Sequence, residues 1–270
     1  MEFGMFHQFP ALPGRTERDA FAEAFEQIDA AERWGLDTMW LAELHFDPQR
    51  SVLSAPLSIA AAVGARTERI KIGIAVQVLP LCHPLRLAEE AATVDHISGG
   101  RLIFGVGAGW NIEEMRNHGT DPRTRGKRLN EQLAALKLIW TQDKAEYHGQ
   151  FVDFDPIFSW PKPTHQPHTP IYIGGAASSA TLRRVARLGD GWMPIAGPDP
   201  KEIGPQLDRF RELAPDRALT INLLEWTNPE ILDGYAEGGA ERGLLFVPWH
   251  EESEMLRLLD SLVPMVEQYR

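Results

Sequence analysis

Cysteine is nearly absent from this chain. Among 270 residues there is one, Cys82. No disulfide can close within the chain, and a lone thiol fits a reducing cytosol. Long apolar runs are missing too: nothing reaches the ~18 residues of a membrane span. The first residues, MEFGMFHQFP, have neither the basic start nor the apolar stretch of a signal peptide. The expectation is a cytoplasmic protein without a membrane partner. Positive charge is in deficit, with 27 Lys and Arg against 38 Asp and Glu and a formal net charge of −11. A nucleic-acid groove needs a basic stripe, so no nucleic-acid partner is expected. No G-x-S-x-G elbow and no G-x-x-x-x-G-K-[ST] loop occurs, which leaves a serine hydrolase or a P-loop NTPase without support.

What is present is alternation. Glu2–Phe6, Asp37–Leu41, Ile70–Val76 and Leu102–Gly107 read as strands, followed later by Ile171–Ile173, Asp190–Met193, Leu219–Leu223 and Gly243–Val247. Between them lie segments of helical period. In Glu17–Trp34, Phe21, Phe25, Ile28 and Ala31 recur at spacings of three and four, and Gly35 supplies the stop. Ser54–Ala65 is predicted to be capped by Ser54 with Pro56 in its first turn. Pro84–Ile97, Gly126–Thr141, Ser178–Leu188, Pro200–Leu213, Pro229–Glu237 and Glu251–Tyr269 complete the set. Eight βα units in strict order predict parallel strands, right-handed crossovers and a single (β/α)8 TIM barrel over residues 1–270. An insertion separates the fourth helix from the fifth strand. It is predicted to hold a small hairpin turned at Gly149, stiffened by a run of prolines. Segments 112–125 and 142–169 are lid-like, since long connections in barrels are often functional.

Barrel chemistry sits on the loops after the strand C-termini. Gly174, Gly175, Ala176 and Ala177 pass from a strand into a helix through small residues, where a phosphate can approach unpaired N–H groups and the positive end of the dipole. A tight turn that needs small residues for packing gives the same pattern. Gly105, Gly107 and Gly109 leave a flat strand end on which a planar ring can lie; relief of crowding at a barrel corner is the alternative. Gly73 and Ala75 interrupt a β-branched run that continues past normal strand length, which suggests a bulge pressing backbone against a ligand. Glu43 and His45 share a face beyond the second strand, and a carboxylate beside an imidazole suits proton transfer. His7, Trp110 and Trp192 stand where they would line a substrate pocket. Cys82-His83 reads as loop and helix cap. A metal needs three or four converging ligands; His7, His45, Asp47 and His83 come together only if the fold gathers them, no H-E-x-x-H occurs, and no metal is expected.

Taken together, these runs resemble the luciferase-like monooxygenase superfamily over nearly the full chain. Trp40-Leu41-Ala42-Glu43-Leu44-His45-Phe46 is similar to the strand-2 exit of the bacterial luciferase group. Val78-Leu79-Pro80-Leu81-Cys82-His83-Pro84-Leu85-Arg86 and Asp95-His96-Ile97-Ser98-Gly99-Gly100-Arg101 are specific matches. Gly105-Val106-Gly107-Ala108-Gly109-Trp110-Asn111 and Gly189-Asp190-Gly191-Trp192-Met193-Pro194 look like the branch described as F-420-dependent. The resemblance implies FMN or coenzyme F-420 as cofactor, with hydride transfer or oxygen activation at its ring. It implies a non-prolyl cis peptide at Ala75–Val76 against the ring, and Gly107, Ala108 and Gly109 beside the ring or ribityl chain. The phosphate would sit at Gly174–Ala177, and a homodimer would form through helices two and three. Two departures stand out. Leu44 occupies the place where a histidine commonly follows the acid, so Glu43 and His45 are the remaining acid–base candidates. Ala108 stands where some FMN-binding members carry arginine, which leans toward the deazaflavin.

The sequence thus points to a flavin- or deazaflavin-dependent oxidoreductase acting on a small organic substrate. The alternatives are a non-catalytic flavin-binding protein, suggested by Leu44, and a metal-dependent barrel hydrolase.

Overall fold

The computed structural model describes residues 1–10, 14–194, 200–223, 229–246, and, in the C-terminal stretch, 257, 260, 261, 263, 264 and 266–269. The expected helix Glu251–Tyr269 falls largely outside the described residues, as do the strand exits at 195–199, 224–228 and 247–250.

The strands are β1 (Glu2–His7), β2 (Thr38–Leu41), β3 (Lys71–Ile74), β4 (Gln77–Val78), β5 (Leu102–Gly107), β6 (Ala145–His148), β7 (Asp153–Ile157), β8 (Ile171–Gly174), β9 (Gly191–Met193), β10 (Ala218–Leu223) and β11 (Arg242–Phe246). The helices are α1 (Glu17–Arg33), α2 (Pro56–Arg66), α3 (Pro84–Ile97), α4 (Ile112–Asn117), α5 (Arg125–Thr141), α6 (Ser179–Leu188), α7 (Pro200–Leu213) and α8 (Pro229–Glu237). Parallel pairing runs β2–β1–β11–β10–β9–β8–β5, and β5 returns to β3, which pairs with β2. The ring is closed. It has eight staves because β3 and β4 are one stave interrupted at Ala75–Val76, both halves pairing with β5. The expected TIM barrel is therefore the observed fold.

Side chains alternate across each strand, so each stave feeds two cores. Trp40, Ile103, Tyr172, Met193 and Leu244 fill the barrel interior. Residues of opposite parity, such as Met39, Leu41, Phe104 and Ile173, meet the helices in a larger outer core. Large interior rings need bare backbone opposite them. A Cβ on Gly73 would lie 2.2 Å from the Trp40 ring, and one on Gly191 would lie 1.7 Å from the Tyr172 ring.

Local signals behave largely as their chemistry suggests. Thr16 caps α1, its hydroxyl accepting from the Asp19 N–H at 3.2 Å, and Gly35 at φ 86° turns the chain out of that helix. Ser54 does not cap α2. The chain enters that helix at Ala55 without a side-chain cap, directly ahead of Pro56. In the insertion, β6 and β7 form the expected antiparallel hairpin, and the Gly149 N–H donates to the Val152 carbonyl at 2.8 Å.

The insertion as a whole is not a lid. Glu131 on α5 accepts from the Phe151 N–H at 2.7 Å, Lys162 donates to the Ile139 and Gln142 carbonyls at 2.6 Å, and Asp95 on α3 accepts from the Thr164 N–H at 2.7 Å. These bonds tie 142–169 along α3 and α5, toward the N-terminal end of β5. Orphan carbonyls at the end of α5 and a buried carboxylate on α3 need donors, and the insertion supplies them.

Arg101 joins two βα units. Its guanidinium donates to the carbonyls of Gly64, Thr67, Ile70 and Ser98 at 2.6–2.8 Å and to the Thr67 hydroxyl at 2.7 Å. Charge-assisted bonds to carbonyls that have left water are costly to remove. We expect Arg101→Met to lower unfolding free energy by about 3 kcal/mol, read as a lower urea midpoint at unchanged slope.

Candidate functional site

The C-terminal ends of the staves open into a cleft of about 790 Å³. Its floor is the break in the third stave. The Ala75–Val76 peptide is cis, as the resemblance implied. The Val76 side chain wedges between two neighbouring staves. A Cβ on Gly107 would lie 2.6 Å from one Val76 methyl and a Cβ on Gly174 would lie 2.6 Å from the other. Gly105 admits the Ile74 carbonyl, which would sit 1.8 Å from an added Cβ. The alternating glycines therefore serve both readings given above: they relieve crowding, and they leave a shallow floor. Ala75, Val76, Gly107, Ala108 and Gly109 all border the cleft, with Phe6, Leu44 and Met193 as apolar walls.

One end of the cleft is built for an anion. Gly174, Gly175 and Ala176 border it and lead into α6. The Ser178 hydroxyl caps that helix, accepting from the Thr181 N–H at 3.1 Å. The first N–H groups of a helix have no partner within it, and the helix dipole is positive at this end. Ala177 does not line the cleft; it packs against the outer core instead. Arg184, one turn into α6, reaches the same end. Its Nε donates to Asn130 Oδ1 at 2.6 Å and its Nη2 to the Gly126 carbonyl at 3.2 Å. Arg125 and Gly126 at the start of α5 stand beside it. At the other end lie Trp110, which is 68% exposed, Gln8, and Arg50, whose guanidinium is 6.0 Å from the Trp110 ring centroid.

Three expected site residues are corrected, two of them by strand parity. Phe6 and Gln8 face the cleft, so His7 between them points outward. It is buried against α1, Nε2 bonded to Gln27 Oε1 at 2.7 Å and Nδ1 accepting from the Phe9 N–H at 3.1 Å. Met193 faces the cleft, so Trp192 is turned into the outer core. It packs on Phe210 with ring centroids 5.1 Å apart, and its Nε1 donates to the Gly175 carbonyl at 3.0 Å. Trp192 thus supports the anion loop from behind and lines no pocket. Past the end of β2 the chain is irregular: Ala42, Glu43 and Leu44 all border the cleft and His45 does not. His45 borders a second cavity of about 370 Å³, with Ser54, Cys82, His83, Arg86 and His118.

Glu43 stands between the two cavities and its carboxylate is fully engaged. Oε2 accepts from the Val78 N–H at 2.5 Å and from Gln77 Nε2 at 2.9 Å, while Oε1 meets His45 Nε2 at 3.1 Å. It clamps β4, where the strand resumes after the stave break. The hydrogen bond from Glu43 raises the pKa of His45 above its ordinary value. Burial pushes the Cys82 thiol up to about 12, which leaves it a poor nucleophile. Among the described residues, no three His, Cys, Asp or Glu side chains are placed to hold a metal ion, and no helix is long and apolar enough to cross a membrane.

Sequence reading missed one feature of the cleft and left a second open. Arg50, Arg123, Arg125 and Arg184 all border it, although the chain is strongly acidic. Glu114 reads in the sequence as an acid on the catalytic rim or, equally, as a plain acid near a helix start. It is buried at the cleft, with Oε1 accepting from the His45 N–H at 3.1 Å. Asn111, whose side-chain Oδ1 accepts from the Glu113 N–H at 2.9 Å, caps α4 and sets that position. Only the 112–125 segment, of the two lid-like ones, borders the cleft.

His7 has a consequence for stability. Burial lowers its pKa to about 4, below the ordinary 6.5. A depressed base is neutral in the fold, so its contribution is fully present above pH 6.5 and is lost as pH falls from 6.5 toward 4. The loss is about 3 kcal/mol at the acid end. Heteronuclear NMR of the folded protein is expected to show the His7 ring neutral at pH 5, and chemical unfolding to become easier across that window.

Known proteins share this fold. The model of a family described as luciferase-like monooxygenase matches residues 1–223. An uncharacterised protein of Mycobacterium tuberculosis is 43% identical over 153 residues, 56% of this chain and 53% of that one. The FMNH2-dependent dimethylsulfone monooxygenase of Pseudomonas putida is 32% identical over 202 residues, 74% of this chain and 51% of that one. The chain thus spans about half the length of the curated relatives it matches. Among solved structures, the monooxygenase RslO1 from Streptomyces bottropensis has a TM-score of 0.89 at 18% identity, covering 100% of both chains. An F-420-dependent secondary alcohol dehydrogenase in complex with an F-420–acetone adduct has a TM-score of 0.79 at 17% identity, covering 98% of each. The two structures agree on the fold, and the family match extends through the cleft-forming staves β1 to β10: the chain belongs to the luciferase-like monooxygenase family.

Proposed function

We propose that this chain is an oxidoreductase that holds a phosphate-bearing flavin or deazaflavin in the cleft and acts on a small organic substrate. One observation carries the proposal. A single cleft joins a shallow floor at Val76, Gly107 and Gly174 to an anion site at the start of α6, with Arg184 and Arg125 beside it. That pairing suits a planar ring at one end and a phosphate at the other. The relative named as FMNH2-dependent supports the same reading.

The bound ring supplies hydride transfer or oxygen activation, and the barrel's part is to orient it. Val76 sets the depth to which the ring enters. The N–H groups at the start of α6 and the Arg184 guanidinium hold the phosphate. Apolar Phe6, Leu44 and Met193 exclude water from the ring's surroundings. With Leu44 facing the cleft and Glu43 consumed by β4, the proton-handling group is Glu114. Its Oε1 is held by the His45 N–H, and among the described residues Oε2 accepts no hydrogen bond, so Oε2 takes or gives the proton. Glu43 and His45 are positioning residues. A homodimer through the paired helices α2 and α3 completes the reading.

Leu44 also favours a second reading, a flavin-binding protein without turnover, because an aliphatic side chain replaces a proton carrier at the cleft. Turnover with any electron acceptor separates the two.

The direct test titrates the ligand-free chain with FMN and with F-420, each oxidised and reduced, following ring absorbance and fluorescence. Saturable binding of at least one is expected; binding of neither overturns the proposal. Once a turnover assay exists, Glu114→Gln is expected to lower kcat by about 100-fold or more and to remove one limb of the pH–rate profile, with cofactor affinity held within about threefold. Unchanged kcat would remove Glu114 from the mechanism.

A further inference from the structure

The arginines that border the cleft are not equivalent. Arg184 is held by Asn130 and the Gly126 carbonyl, Arg123 pairs with Asp121 at 2.8 Å, and Arg125 donates to the Pro122 carbonyl at 2.8 Å. Arg50 has no such partner. Among the described residues its guanidinium forms no ion pair and donates no hydrogen bond, and the Trp110 ring lies under it with the centroid 6.0 Å away. That separation is the outer limit of a cation–π contact. The guanidinium therefore keeps its donors and the indole keeps its face. Trp110 is 68% exposed, a large apolar surface left open at the rim of a cleft.

Both groups are fixed before anything binds. Trp110 stands between Gly109, at φ 75°, and Asn111, the N-cap of α4. A Cβ on Gly109 would lie 2.7 Å from a Val78 methyl, so the turn that presents the indole needs bare backbone. Arg50 closes a turn in which its own N–H and that of Ser51 donate to the Asp47 carbonyl at 3.1 and 3.0 Å. The Ser51 hydroxyl donates to the Gln8 carbonyl and the Val52 N–H to the Phe9 carbonyl at 2.8 Å, which ties the turn to the exit of β1. A flat apolar face and a free guanidinium fork are thus held side by side, at the end of the cleft away from α6. Glu114 borders the same cleft on α4, the helix that follows Trp110. A carboxylate fits the fork through two parallel N–H···O bonds, and a planar ring fits an indole face. A neutral aliphatic molecule would use neither.

We infer that the substrate is a planar unsaturated carboxylic acid, its ring stacked on Trp110 and its carboxylate held by Arg50, on the Glu114 side of the cleft floor. This inference rests on the proposed function and goes further by naming the substrate class.

The test measures dissociation constants of the full chain by calorimetry for three probes: naphthalene carboxylate, the neutral naphthalene carboxamide, and the saturated decalin carboxylate. Each is measured with the chain alone and again with FMN or F-420 bound. At low salt the planar acid is expected to bind about three- to tenfold tighter than the amide, and the difference to shrink as salt rises. It is expected to bind about two- to tenfold tighter than the saturated acid. Arg50→Gln should erase the first difference and Trp110→Leu the second, while Arg123→Gln changes neither. Both side chains are exposed, and an unchanged urea midpoint confirms that each variant keeps the fold. Equal affinity for acid and amide, an acid preference that survives Arg50→Gln, or one that is lost in Arg123→Gln overturns the inference while the proposed function stands. So does equal affinity for the planar and saturated acids. Loss of acid binding once the cofactor is bound also overturns it, since the probe then occupied the ring floor. Binding of no probe to a chain that binds FMN or F-420 overturns the inference alone; failure of both cofactors to bind overturns the proposed function and, with it, the acid as substrate.

Discussion

The mouth of the barrel depends on how closely three staves approach one another at Val76. Its two methyl groups occupy the space that side chains at positions 107 and 174 would need, and the Ile74 carbonyl occupies that of a side chain at 105. The wedge works only with bare backbone on both flanks. The same lack of side chains makes the floor shallow and lets the chain turn at Gly174 and Gly175 into α6. Past the wedge, Glu43 binds the Val78 N–H and so secures the strand that resumes after the break. Floor, anion turn and clamp form one mechanical unit, and Trp192 braces its far side by donating to the Gly175 carbonyl.

Because the unit sits on strands, each position at the rim has one of two fates. Odd and even residues along a stave go to the cleft or to the helix layer, and a single step reverses them. Past the end of β2, where the chain is no longer strand, Leu44 and His45 also part ways. The aliphatic residue takes the place beside the ring, while the imidazole goes to a separate cavity where Glu43 keeps it protonated to higher pH. The proton-handling role then passes to Glu114, which arrives from a different loop and is tied to the same unit through the His45 N–H.

Electrostatics separates the cleft from the rest of the surface. An acidic chain repels anions at long range, yet the cleft gathers arginines from three separate segments: Arg50 after β2, Arg123 and Arg125 before and at the start of α5, and Arg184 on α6. Screening limits the reach of the bulk charge to about 10 Å at moderate salt, so local guanidinium groups and the α6 dipole decide what binds.

The barrel itself was legible in the sequence. Alternating apolar runs and helical periods are local properties, and eight of them in order leave few topologies open. The anion turn was legible for the same reason, since Gly174-Gly175-Ala176 is a strand, a turn and a helix start in one short stretch. The run Ser98-Gly99-Gly100-Arg101 was legible as a match but not as a mechanism; only the folded chain shows Arg101 binding four carbonyls across two units. Facing was harder. His7 and Trp192 read as pocket residues because sequence places them at strand exits, and only the register of Phe6, Gln8 and Met193 settles which side they take. What the sequence by itself determined was which elements form and which loops meet at the barrel mouth, because periodicity and turn chemistry act between near neighbours. The tertiary structure alone decided that Glu114 is buried at the cleft, that the 142–169 insertion leaves it, and that arginines far apart in an acidic chain converge on it. Those outcomes depend on contacts between residues tens of positions apart, which no local pattern encodes.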